Sequence, residues 1–143
     1  MDDDAVESTI QFVDSIFGAG TGKRHLVFLD KIENGALREA IYRYHALEAD
    51  TTHLSLEENY LIGLCVLSVT KNHATAAMFA KVLLHLGTPK EKILEAIARL
   101  SMWIGGLPAA EVAFSIQRAI REYEAEGFAS LGAWFPMGEE RST

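Results

Sequence analysis

The chain has little of what usually announces a function. Its 143 residues include one cysteine, Cys65, so neither an intramolecular disulfide nor a multi-cysteine zinc site can form. Lys and Arg number 13 against 20 Asp and Glu, a net charge of −7, and they form no stripe. That excludes the clustered positive charge a nucleic-acid partner requires. The longest apolar run, "LIGLCVLSV", is too short to cross a bilayer. The first residues, "MDDDAVES", are acidic and lack a basic stretch followed by an apolar one, so no signal peptide is expected. No histidine–carboxylate pair has convincing metal-ligand spacing, and His45, His53 and His85 share none, so no metal or cofactor is expected. A cytoplasmic protein without a membrane partner is the expectation that remains.

Apolar residues, by contrast, are plentiful. They make up 49% of the chain, and the mean hydropathy is +0.09. A chain of this length favours one domain, here residues 1–143, and can bury a core without disulfides or metal. It has too much surface for its size to hide so much apolar matter, which points to a subunit interface.

Almost every segment has helical spacing. Val6, Ile10, Val13 and Phe17 mark a first helix over 3–17. "GAGTGKR" resembles a phosphate-binding loop, but the Walker pattern fails: Phe17 stands where its first Gly belongs, and Arg24 follows Lys23 in place of Ser or Thr. A flexible connector is the better reading. A long helix over 27–48 follows, with Leu29, Ile32, Ala36, Leu37, Ala40, Ile41 and Tyr44 as its buried stripe. "SLEE" makes Ser55 an N-cap and Glu58 its capping-box partner, opening a helix apolar on nearly all sides and therefore central.

Asn72 is the N-cap of the next helix, 73–86, which Gly87 ends. "TPKE" then supplies Thr88 as N-cap and Pro89 as first residue of a helix to Ile104, burying Ile93, Leu94, Ile97, Leu100 and Met102. After "GGLP" a sixth helix runs from Pro108 to Gly127. The aromatic segment 128–143, with Trp134 and Phe135, is expected to dock on its own or a neighbouring subunit. The fold class is thus all-α, a compact bundle of about six helices.

Residues 54–116 carry a longer pattern: "LSLEENYLIGLCVLSVT", then "AKVLLHLGTPKEKILEAI", then "GGLPAAEVAF", preceded by "LREAIYRYHAL". In order and spacing it resembles the carboxymuconolactone decarboxylase and alkylhydroperoxidase D superfamily. The resemblance implies an alkylhydroperoxidase D-like bundle assembling as a homo-oligomer, a trimer, hexamer or related form. It places the site at the start of the helix that "NHATAAMF" opens. Redox members carry Cys-x-x-Cys there, a His four residues after the second Cys, and a Glu on the preceding helix. A helix N-terminus lowers a thiol's pKa, while His and Glu relay protons. Counted back from Gly87, these positions fall on Asn72, Thr75, Phe79 and Tyr60. Thiol-peroxidase activity is therefore not expected. Cys65, mid-helix in an apolar run, does not replace the pair.

What remains for chemistry is His73, which the helix dipole would hold neutral as a base or donor. By homologous position it is joined by Tyr60 and Glu111 as catalytic candidates, and by Lys71, Asn72, Thr75, Phe79 and Trp103 as the lining of a substrate site. Each has a plainer reading: a cap for Asn72, core packing for Tyr60 and Phe79, a surface or interface histidine for His73, a solvated lysine for Lys71, a dipole-favoured carboxylate for Glu111. Two readings follow. One is a non-redox enzyme performing decarboxylation or proton transfer on a small carboxylated or lactone-like molecule. The other is a non-catalytic oligomeric scaffold, in which Phe79 and other apolar side chains fill the pocket.

Overall fold

The computed structural model describes residues 3–49, 51–127 and 130. Seven helices lie among them and no strand: α1 Asp3–Phe17, α2 Thr21–Asp30, α3 Gly35–Ala49, α4 Leu56–Val69, α5 His73–His85, α6 Lys90–Ile104 and α7 Gly106–Glu126. The fold is therefore all-α. No helix among the described residues is long and apolar enough to cross a membrane. The aromatic residues Trp134 and Phe135 lie outside the described residues. The chain divides into two compact units, the second being Leu54–Leu131, and the boundary after His53 falls where the family-like pattern begins.

In the first unit α1 packs on both α2 and α3 and buries Val13, Ile16 and Phe17. The glycine-rich stretch is a tight helix–helix turn rather than a flexible connector. Only Gly18–Gly20 lie outside the helices, and α2 is already under way at Lys23 and Arg24. The Asp14 carboxylate accepts from the Gly22 amide at 2.6 Å. An acidic side chain from α1 thus takes an amide that a phosphate loop would turn toward its anion. A side chain at Gly22 would collide with the Ile10 backbone, which explains the glycine without a ligand.

The helix expected over 27–48 is two helices. Ile32 turns back to bond the Leu29 carbonyl, and Asn34 caps α3 by accepting from the Leu37 amide at 3.0 Å. The apolar periodicity runs across this break and masks the Asn-Gly signal at residues 34 and 35. The burial also differs. Leu29 is buried, but Ala36, Leu37, Ala40 and Tyr44 are exposed. The face that α3 buries is a polar one, carrying Tyr42 and Glu48.

In the second unit α4 carries the expected capping box. Ser55 accepts from the Glu58 amide at 3.1 Å, and the Glu58 carboxylate accepts from the Ser55 amide at 2.8 Å. The central helix, however, is α5. It packs on both α4 and α7 and buries Ala76, Met78, Ala80, Val82 and Leu83. α4 buries only Tyr60, Leu64 and Ser68 and leaves Ile62, Val66 and Val69 exposed. Near-uniform hydrophobicity did not make α4 the centre, because the small residues of α5 permit closer packing on two sides.

Two helix ends use the same device. After α5 the Thr88 amide bonds the Leu83 carbonyl and the Gly87 amide the Leu84 carbonyl, with Gly87 at φ 90°. After α4 the Asn72 amide bonds the Leu67 carbonyl and the Lys71 amide the Ser68 carbonyl. This is the Schellman arrangement, which favours glycine at its left-handed residue. The second copy of it holds Lys71 there, at φ 60°. Because Thr88 completes the first copy, α6 begins after Pro89 and not after Thr88 as the sequence pattern predicts. α7 begins at Gly106, ahead of Pro108.

Three cross-helix ion pairs report the direction of the helices. Glu57 meets Lys92 at 2.7 Å, Lys90 meets Glu124 at 2.6 Å, and Lys81 meets Glu122 at 2.6 Å. α4 and α6 therefore run together, antiparallel to α5 and α7. The end of α4, the start of α5, the end of α6 and the start of α7 share one end of the unit. Met102, expected in the core, stands exposed at that end with Trp103 and Leu107.

Candidate functional site

The positions singled out by the sequence fall into two groups. Lys71, Asn72, His73 and Thr75 gather at the turn into α5, at the same end of the unit as Trp103 and the start of α7, which carries Glu111. Asn72 is the N-cap, its Oδ1 accepting from the Thr75 amide at 3.3 Å. Lys71 is exposed, His73 and Thr75 are half-buried, and Glu111 is exposed on α7. Trp103 is 82% exposed and stands out from the unit.

Tyr60 and Phe79 form the second group. Their ring centroids lie 4.7 Å apart with planes tilted by 49°. Tyr60 is buried, and Phe79 lies directly over Gly63, where an added methyl would stand 2.5 Å from its ring. This pair sits between α4 and α5, roughly 9 Å along α5 from His73 at the helical rise. The structure thus brings Tyr60 to Phe79 rather than to His73. Two aromatic rings occupy the positions where the resemblance places a carboxylate and an imidazole. They offer dispersion and quadrupole contacts but no proton relay between them.

Cys65 stands half-buried on α4, and burial pushes its thiol up from the ordinary value. Burial without a nearby cation keeps the sulfur as thiol, the unreactive form. Among the described residues no group of three or more His, Cys, Asp or Glu side chains is placed to hold a metal.

One buried cluster of titratable groups was not legible in the sequence. In the first unit His25 Nε2 and His45 Nε2 lie 2.8 Å apart, and His45 Nδ1 lies 2.9 Å from Glu48 Oε2. His25 and Glu48 are buried, and the Tyr44 ring stands edge-on to His45. With His45 Nδ1 donating to Glu48, one proton lies between the two rings. It belongs to His25 when His45 is neutral and to His45 when that ring is charged. Burial, and then the neighbouring His45, lower the His25 pKa from 6.5 to about 4. The cluster joins α2 to α3, two helices that both pack on α1. His45 and Glu48 share a helix face at i,i+3, but His25 is on a separate helix, so no local spacing could have disclosed the chain.

No family model, curated protein or solved structure matches this chain.

Two outcomes follow from this geometry. Gly63→Ala is expected to destabilise the protein by about 2 kcal/mol through overpacking against Phe79, and most of that loss should vanish in a Phe79→Ala background. Denaturant titration of the four proteins measures the coupling. His25 binds its proton more weakly folded than unfolded, so the unfolded chain takes up more protons as the pH falls. The stability that His25 contributes is full above about pH 6.5 and is lost progressively as the pH falls toward 4. His25→Gln should flatten that slope in denaturant titrations over the same range.

Proposed function

We propose that the chain is a non-redox relative of the carboxymuconolactone decarboxylase and alkylhydroperoxidase D-like proteins, and that its Leu54–Leu131 unit acts as a self-associating binding module rather than a catalyst. The observation that carries this reading is the Tyr60–Phe79 pair packed over Gly63, which fills with apolar side chains the place where that superfamily's chemistry would be done. The surface supports it as well. Met102, Trp103 and Leu107 at the α6–α7 corner are 73%, 82% and 82% exposed, and Phe114 follows two turns along α7. Ile62, Val66 and Val69 add an apolar face on α4. Exposed large apolar side chains gathered in this way are the usual mark of a surface that meets a partner.

A second copy is the occupant this reading assigns to that surface, in a trimer, hexamer or related closed assembly. Sedimentation velocity at micromolar concentration should give a defined multiple of the chain mass, and Trp103→Asp with Leu107→Asp should reduce it to one. A wild-type protein that sediments as a single chain would remove this reading.

One observation favours chemistry or ligand binding at the same end. Lys71 occupies a left-handed position that Gly87 fills with glycine in the equivalent turn, and it stands two residues before His73. A non-glycine residue held at positive φ next to a polar helix start is a reason to assign it a role. In this second reading Lys71 holds a substrate carboxylate while His73 moves a proton, on a small carboxylated or lactone-like molecule. Lys71→Gly is expected to raise stability by about 0.5–1 kcal/mol by relieving the backbone. If the second reading holds, the same change weakens binding of the small carboxylate, measured by calorimetry; unchanged binding would leave Lys71 without a function.

A further inference from the structure

The first unit contains a cleft that neither the resemblance nor the proposed assembly uses. It has a volume of about 450 Å³, within the range of small-ligand sites. It is open because Ala5 of α1, with Gly35 and Ala46 of α3, contribute almost no bulk to its walls. The rest of the lining is polar: Asp30 at the end of α2, and Arg38, Glu39, Tyr42 and Arg43 on α3.

These charges are not equally engaged. Glu39 and Arg43 neutralise each other across one helical turn at 2.6 Å. Among the described residues the Arg38 guanidinium reaches the main-chain carbonyl of Asp30, at 3.5 Å. Among the described residues neither Arg38 nor the Asp30 carboxylate is held in an ion pair. Both act on the Tyr42 hydroxyl, whose residue is only 4% exposed. Burial and then the Asp30 carboxylate raise its pKa, while Arg38 pulls the other way, so the hydroxyl stays protonated and has a proton to offer. One cation and one anion thus flank a buried donor at the wall of an open cleft, with neither satisfying the other.

We propose that this cleft binds a small zwitterion of the α-amino-acid class. The ligand's carboxylate sits on the Arg38 guanidinium and the Tyr42 hydroxyl, and its ammonium sits on the Asp30 carboxylate. Charge balance selects this class. A simple carboxylate meets Arg38 but is repelled by Asp30, and a simple amine meets Asp30 but is repelled by Arg38. A molecule carrying both charges a few bonds apart satisfies the two at once. The planar guanidinium suits a carboxylate held by two parallel hydrogen bonds. The ligand's own side chain is left to the small-residue part of the cleft at Ala5 and Ala46.

Isothermal calorimetry on the full chain at neutral pH and low salt tests this. The probes are the individual L-amino acids, with propionate and propylamine as single-charge controls. At least one amino acid should bind saturably, and both controls should bind about tenfold more weakly or not at all. Arg38→Gln and Asp30→Asn should each weaken the amino acid about tenfold or more, and Tyr42→Phe should weaken it several-fold. Arg38→Lys keeps the charge and loses the fork, and should fall between wild type and Arg38→Gln. Unchanged thermal midpoints in these variants separate lost contacts from lost folding. Absence of binding by every amino acid overturns the proposal. So does propionate binding as tightly as the best amino acid, or an affinity indifferent to both Arg38 and Asp30.

Discussion

Burial of α5 on two sides is the constraint on which the Leu54–Leu131 unit depends. Ala76, Ala80, Val82 and Leu83 are wholly inaccessible, and α5 packs against both α4 and α7. Small side chains make this feasible, because they let neighbouring backbones approach without leaving voids. The Tyr60–Phe79 contact is the local form of the same constraint: Gly63 lacks a Cβ, so the Phe79 ring settles into the helix surface beside Tyr60. The space between the two helices at this point is filled by aromatic packing.

Once α5 takes the centre, α4 has one face to bury and one to spare. The spare face, with Ile62, Val66 and Val69, and the α6–α7 corner, with Met102, Trp103 and Leu107, leave large apolar side chains on the surface. The high apolar fraction of a short chain is thereby spent partly on α5 and partly on side chains such as Trp103 and Leu107 that the second unit alone does not cover. The first unit inverts the pattern. Its α3 turns Leu37 and Tyr44 outward and buries Tyr42 and Glu48, with half-buried His45 between them on the same side. Polar groups turned inward need partners, and they find them in the hydrogen-bonded run from Glu48 through His45 to His25.

Some of the candidate site was legible and some was not, for reasons that can be located. Asn72 was readable as a cap because capping is local: the side chain bonds an amide three residues on. The gathering of Lys71, His73 and Thr75 follows from the same turn. The pairing of Tyr60 with Phe79 needed the register between two helices. The His25–His45 contact and the Arg38–Asp30 cleft needed side chains from separate helices brought together by α1. Periodicity also misled where it crossed a break: the stripe from Leu29 to Tyr44 is continuous in sequence, yet Asn34 restarts the helix and turns the second half about its axis.

By itself the sequence determined what is encoded over a few residues. The helical class, the Ser55–Glu58 capping box, the stop at Gly87 and the absence of any cysteine pair are set by dihedral preferences, caps and composition. Those terms act within a turn or two of helix and do not require the rest of the chain. Only the tertiary structure decided which helix is central, which apolar stripes face solvent, and which polar side chains meet. Each of these depends on comparing alternative packings of the same amphipathic helices. That comparison is settled by shape, such as a missing Cβ at Gly63 or a run of alanines on α5, and hydrophobicity alone does not distinguish between the alternatives.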